Sequence, residues 1–172
     1  MELNRTDDAL LEKGVAAGVF RLQTILVPVD FSSFSSKALD YAVAFARQFG
    51  ATIVLVHVVE PMVYPENYMA VPTVNEDING SLMKAAEEKL AAARKAIDSD
   101  RVKGVTRLGR PYVEIVEVAK EEEADLIILA THGHTGFKHV LLGSTAERVV
   151  RHAPCPVLTV RNPEHDFIAS AS

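Results

Sequence analysis

Residues 125–160 read DLIILATHGHTGFKHVLLGSTAERVVRHAPCPVLTV, and the order of patterns within them decides the fold. An apolar run from Asp125 to Ala130 leads into a glycine-bearing loop. An amphipathic stretch from Thr145 to His152 follows, and then a second apolar run from Pro156 to Val160. Both runs are continuous rather than alternating, which is the pattern of strands buried on both faces of a parallel sheet. The stretch between them stops before Pro154, because a proline pushes the preceding residue out of the helical region. Strand, helix, strand is the unit of parallel sheets with right-handed crossovers.

The same alternation extends toward the N-terminus. Thr24 to Val29 (TILVPV) is an apolar run ending at Asp30, and Thr52 to Val59 (TIVLVHVV) is a second, rich in β-branched residues. Val102 to Leu108 (VKGVTRL) alternates and so reads as an edge strand. Between the runs lie helical stripes. Ala38, Ala42, Ala46 and Phe49, with Leu39 and Val43, form one, stopped at Gly50. Leu82, Ala86, Leu90, Ala93 and Ile97 form another. Pro111 suits the first turn of a third, with Tyr112, Ile115, Val116 and Ala119 on one face. The expected order is β-α-β-α-β-α-β-α-β, an α/β domain over residues 23–161. Residues 1–22 form an N-terminal extension with Leu11, Val15 and Val19 in helical register, and residues 162–172 a C-terminal tail. Residues 60–80, with Pro61, Pro65, Pro72, Tyr64 and Tyr68, read as a long connection.

Composition removes several function classes. The 172 residues are 48% hydrophobic, enough for one domain with a real core. The net charge of −5 and the 6% aromatic content argue against a nucleic-acid surface or a base-stacking platform. A single cysteine, Cys155 between Pro154 and Pro156, leaves no disulfide to form within the chain and fits a reducing compartment. It reads as a small semi-buried thiol, since no partner to activate it can be assigned. The opening MELNRTDD is polar, and no apolar run approaches the ~18 residues of a membrane span. The expectation is a cytoplasmic protein without membrane or nucleic-acid partners.

In open α/β sheets, ligands sit at the carboxyl ends of strands where the winding reverses. The candidates are the end of strand one, Val27-Pro28-Val29-Asp30, and the end of strand four, Leu129-Ala130-Thr131-His132-Gly133, with the loop that continues through Gly136 to Gly143. Glycines let backbone N–H groups approach an anion, and Gly143-Ser144 opens a helix whose N-terminus is electropositive. The same residues support a ligand-free reading. Ser144 followed by Glu147 is a capping box, the glycines can serve turns, and Asp30 can cap the first helix before Ser32 and Ser33. The loop is neither a Walker loop nor the dinucleotide fingerprint. His57 reads as a satisfied core residue. His132, His134 and His139 lack the fourth ligand of a zinc site, so no tightly held metal is expected. The strand order, on which the site depends, stays open at this level.

The chain resembles the universal stress protein family over about residues 22–161. The markers are ILVPVDFS at 25–32, LVHVV at 55–59, GRP at 109–111, ADLIILATHG at 124–133 and LLGSTAERVVRHAPCPVL at 141–158. The resemblance implies an open five-stranded parallel sheet, order 3-2-1-4-5, Rossmann-like with helices on both faces. ATP-binding members carry Gly-x2-Gly-x9-Gly-Ser/Thr, which falls here on Ala130, Gly133, Gly143 and Ser144; the first glycine is alanine. It further implies that Asp30 and the backbone at Val58 hold adenine and ribose, and that Pro28 and Leu129 line the base pocket. Ala130, Gly133, Gly143, Ser144 and Thr145 would wrap ribose and phosphates of ATP, with or without Mg2+. A homodimer would form through strand five, Val157, Leu158, Thr159 and Val160. Three functions follow as rivals: an ATP-binding regulatory or stress-survival protein, a homodimeric interaction protein that has lost nucleotide binding, and a weak ATP hydrolase or adenylyl-transfer enzyme. The last needs a positioned nucleophile or base, and the sequence supplies no such constellation.

Overall fold

The computed structural model describes residues 21–61, 72–97, 99–131 and 142–161. The N-terminal extension, the C-terminal tail and most of the glycine loop fall outside them. Five strands, β1 (Thr24–Pro28), β2 (Thr52–Val59), β3 (Val102–Leu108), β4 (Leu126–Ala130) and β5 (Val157–Val160), alternate with four described helices. These are α1 (Ser33–Phe49), α2 (Pro72–Ala96), α3 (Pro111–Glu121) and α4 (Ser144–His152). The sheet is wholly parallel in the order β3-β2-β1-β4-β5. β3 is an edge, as its alternation requires, and β5 is the other.

The continuous apolar runs are explained by the layers above and below them. Ile25, Val27, Ile53, Leu55 and Ile128 point to one face, where they pack with Ala38, Tyr41 and Ala42 of α1 and Leu90 of α2. Leu26, Val54, Val56, Ile127 and Leu129 point to the other, against Ile115, Val118 and Ala119 of α3 and Ala146 and Val149 of α4. Side chains alternate across a strand, so a strand covered on both sides must be apolar at every position. Truncating Ile25 or Ile128, each fully buried, costs about 2–5 kcal/mol through lost transfer energy and the cavity left behind.

Four expectations need correction. α2 begins at Pro72, so residues 72–80 are helix and the connection is correspondingly shorter; proline tolerates the start of a helix, the same signal that opens α3 at Pro111. The α1 stripe turns away before its end. Phe49 is 44% exposed and stacks on Phe45, while Tyr41 takes the buried place. Leu82 on α2 is exposed too, leaving Ala86 and Leu90 as the buried pair. Val160 at the sheet edge is only 5% exposed, because it packs into the core beneath α1. Gly50 ends α1 as expected, in the left-handed conformation at φ 70°.

Candidate functional site

β1 runs outward to β2 and β3, and the chain then returns to the far side of β1 as β4. The connections leaving β1 and β4 therefore diverge, which opens a crevice above their carboxyl ends. A cleft of about 300 Å3 occupies this position. It is lined by Pro28, Asp30, Val58, Leu129, Ala130, Gly143, Ser144 and Thr145. These residues come from four separate elements and loops, brought together by strand order. Gly133 lies outside the described residues, as do Gly136, His132, His134 and His139.

One wall is built by the turn after β1. The ladder continues one residue past the strand, with Val29 N–H donating to the Val56 carbonyl at 2.9 Å. Asp30 then folds onto the start of α1. Its Oδ1 accepts from the backbone N–H of Ser32 at 3.0 Å and from the Ser32 hydroxyl at 2.6 Å. The N-cap itself is Ser32, whose Oγ accepts from Ser35 N–H at 3.2 Å. Asp30 thus braces the cap and is not the cap, which corrects the helix-cap reading of that residue. Between them Phe31 takes φ 63°, a costly region for a non-glycine residue. Its ring rests 4.6 Å from that of His57. His57 Nδ1 donates to the Val29 carbonyl at 2.7 Å, so this half-buried histidine is hydrogen-bonded and also lines the cleft.

The opposite wall is the start of α4. Ala130 is the last residue of β4, paired with Val160. The buried Thr131 follows; its N–H donates to the Val160 carbonyl at 2.9 Å, and its carbonyl accepts from Gly143 N–H at 2.7 Å. That last bond pins the far end of the loop to the strand end and delivers the α4 N-terminus to the cleft. Gly143 is the N-cap of α4, in ordinary extended conformation at φ −66° and ψ 153°. The Ser144–Glu147 capping box is therefore not formed. Ser144 is already inside the helix, and the Glu147 carboxylate pairs with Arg151 at 2.8 Å. Among the described residues no side chain caps this helix. The first-turn N–H groups at Ser144, Thr145 and Ala146 stand at the cleft with the positive end of the helix dipole.

The lining also contains Thr131, a candidate from the end of strand four, and Ser35, His57, Glu60, Pro111 and Ile115, which reasoning on sequence did not select. Glu60 and Pro111 follow the ends of β2 and β3, so the rule that pointed to Asp30 applies to them once the strand order is known. Ile115 faces the cleft from α3 and cannot be told from a core residue by periodicity. Beyond Glu60, Pro111, Ser144 and Thr145 the cleft continues into a second lobe of about 310 Å3, bounded also by Arg110, Tyr112 and Arg148.

Cys155 stands apart from both lobes' linings. Burial, first, and the Asp125 carboxylate, second, push its thiol above the ordinary range, while a hydrogen bond with the Ile127 backbone pulls the other way. The same Asp125 accepts from the N–H groups of Gln23 and Thr24 at 2.8 and 2.9 Å, tying the start of β1 to β4. Among the described residues no three potential metal ligands cluster, and no helix is long and apolar enough to cross a membrane.

Comparison with known proteins agrees with this architecture. The family model described as "Universal stress protein family" matches residues 21–161. A universal stress protein of Methanocaldococcus jannaschii, MJ0531, is 37% identical over 146 residues, covering 83% of this chain and 84% of its own. The solved structure of a second protein of that organism, MJ0577, has a TM-score of 0.74 at 30% identity, covering 85% of this chain and all of its own. The universal stress protein UspA of Lactobacillus plantarum gives 0.71 at 29%, with 83% and 100% covered. Fold, strand order and matched length agree, and the chain belongs to the universal stress protein family.

Proposed function

We infer that this protein binds an adenine nucleotide, ATP, in the cleft between β1 and β4, and acts as a regulatory or stress-survival protein rather than as an enzyme. The observation that carries the reading is the N-terminus of α4, which no described side chain caps, aimed into a cleft whose other end holds a carboxylate and whose floor is apolar. Each part suits one part of the ligand. Pro28, Leu129 and Ile115 offer a flat apolar bed for a base. Asp30 and the Val58 backbone accept from, and donate to, its polar edge and the ribose hydroxyls. Gly143, Ser144 and Thr145 present N–H and hydroxyl donors to phosphate, with Ala130 and Gly133 completing the wrap. Mg2+, where present, would travel with the phosphates. Universal stress proteins of this fold have been solved in complex with cAMP and with dAMP, at 23% and 24% identity to this chain. At that distance only the fold carries over, so the reading rests on the cleft.

A homodimer through β5 belongs to the same proposal. β5 pairs only with β4 among the described residues, which leaves Val157, Leu158, Thr159 and Val160 as an uncharged edge. Pairing with a second copy would satisfy that edge in a two-fold contact. The cytoplasm is the expected compartment, and no nucleic acid or membrane is expected as a partner.

Calorimetry with ATP and GTP tests the nucleotide reading. ATP is expected to bind more tightly, because an acceptor at Asp30 suits the adenine amino group and opposes the guanine carbonyl. Gly143→Asp locates the site. Aspartate caps a helix at least as well as glycine, so the fold should hold. Its charge at the phosphate end should abolish binding. Equal affinity for GTP overturns the adenine assignment, and undiminished binding by the variant places the nucleotide elsewhere.

A further inference from the structure

We propose that Arg110 and Arg148 form a second anion subsite, which takes the distal phosphoryl groups of a nucleotide and makes this protein selective for a triphosphate over a monophosphate. The proposal rests on the nucleotide reading above and deepens it. The lobe beyond the α4 N-terminus holds about 310 Å3 and shares Glu60, Pro111, Ser144 and Thr145 with the first. A chain of phosphates leaving the helix start thus has a continuous path into it. Its remaining walls are Arg110, Tyr112 and Arg148.

Among the described residues, neither guanidinium group is spent on an ion pair or a cap. Arg110 is the N-cap of α3 but makes no side-chain cap bond, so only its backbone serves the helix. Arg148 lies over the Tyr112 ring, 5.0 Å from its centroid. A π face orients a guanidinium without neutralising it, so its N–H donors stay available to an anion. Neither arginine forms an ion pair with a described residue, whereas Arg107, Arg151, Lys103 and Lys120 all do. Planar bidentate donors are the side chains that match phosphate oxygens. Glu60 sits in the same lobe and opposes an anion. Two positive charges against one leave the lobe net positive, with Glu60 weakening what the arginines attract.

The experiment measures binding of ATP, AMP and inorganic triphosphate to the wild type, to Arg110→Gln with Arg148→Gln, to Arg148→Lys and to Glu60→Gln. Wild type should hold ATP more tightly than AMP. The double variant should lose roughly tenfold in ATP affinity for each guanidinium removed, with AMP affinity unchanged. Arg148→Lys should keep part of the preference, and Glu60→Gln should strengthen ATP binding. Circular dichroism establishes that the variants are folded, and unchanged AMP affinity does so at the site itself. A double variant that keeps the wild-type preference for ATP overturns the proposal. Should neither nucleotide bind the wild type, the adenine reading fails, and inorganic triphosphate decides the subsite. Binding lost in the double variant upholds it, and binding absent from the wild type overturns it.

Discussion

Asp30 Oδ1 accepts both the N–H and the hydroxyl of Ser32, so one carboxylate oxygen fixes the residue that caps α1. The carboxylate is thereby oriented at the mouth of the cleft by the same contacts that start the helix. On the proposed reading, structure and binding are coupled at this residue.

Asp30→Ala is therefore expected to lower both stability and ATP affinity. Loss of the brace on the cap should cost about 1 kcal/mol, the usual scale for an N-cap contact. Ser32→Ala should cost a similar amount while leaving in place the carboxylate proposed to recognise the base. Urea unfolding and calorimetry on the two variants separate the effects. A fall in affinity as large for Ser32→Ala as for Asp30→Ala would show that Asp30 acts through the helix alone.

Ala130→Gly places glycine where the resemblance implies the first glycine of the ATP-binding pattern. Ala130 lies in β4 in register with Val160, and among the described residues only Phe31 and Glu123 take positive φ without being glycine. The backbone here does not require glycine. The substitution should lower stability by about 0.5–1 kcal/mol through backbone entropy, with ATP affinity unchanged or raised. A marked loss of affinity in the folded variant would identify the methyl group as a ligand contact.

Thr159→Pro tests the β5 edge. The Pro156 carbonyl accepts from Ile127 N–H and the Val160 carbonyl from Thr131 N–H, both on the β4 side. N–H and C=O of one residue point the same way in a strand, so Val157 and Thr159 direct theirs outward. Proline at 159 removes an outward donor and leaves the ladder to β4 intact, as edge strands allow. The variant should be a folded monomer by light scattering, and the wild type a dimer. Val160→Glu would be a poor test, since it buries a charge beneath α1.

Cys155 should alkylate more slowly in the native protein than in the urea-unfolded chain at about pH 8, because its thiolate is disfavoured by burial and by Asp125. The folded state holds the thiol proton more tightly than the unfolded state does. This contribution to stability is thus present below the unfolded-state pKa and is lost as pH rises through the folded one. Cys155→Ser should flatten that alkaline decline. Equal alkylation rates in both states would refute the assignment.

The sequence by itself determined the elements and their kind. Runs such as Leu26 to Val27 and Ile53 to Val56 had to be strands covered on both faces, because every position is apolar. Gly50 and Pro111 marked a helix end and a helix start through backbone geometry that is local. Asp30, Leu129 and Gly143 were legible as candidates because they follow, end or open such elements. Only the tertiary structure decided what those residues do together. Strand order set β4 beside β1, and the Gly143–Thr131 hydrogen bond then carried the α4 N-terminus to Asp30's cleft. Whether Ser144 caps its helix, whether Val160 is edge or core, and whether Arg110 and Arg148 share a lobe depend on contacts between residues far apart in sequence. Periodicity reports which face of an element is apolar, but not which element covers it.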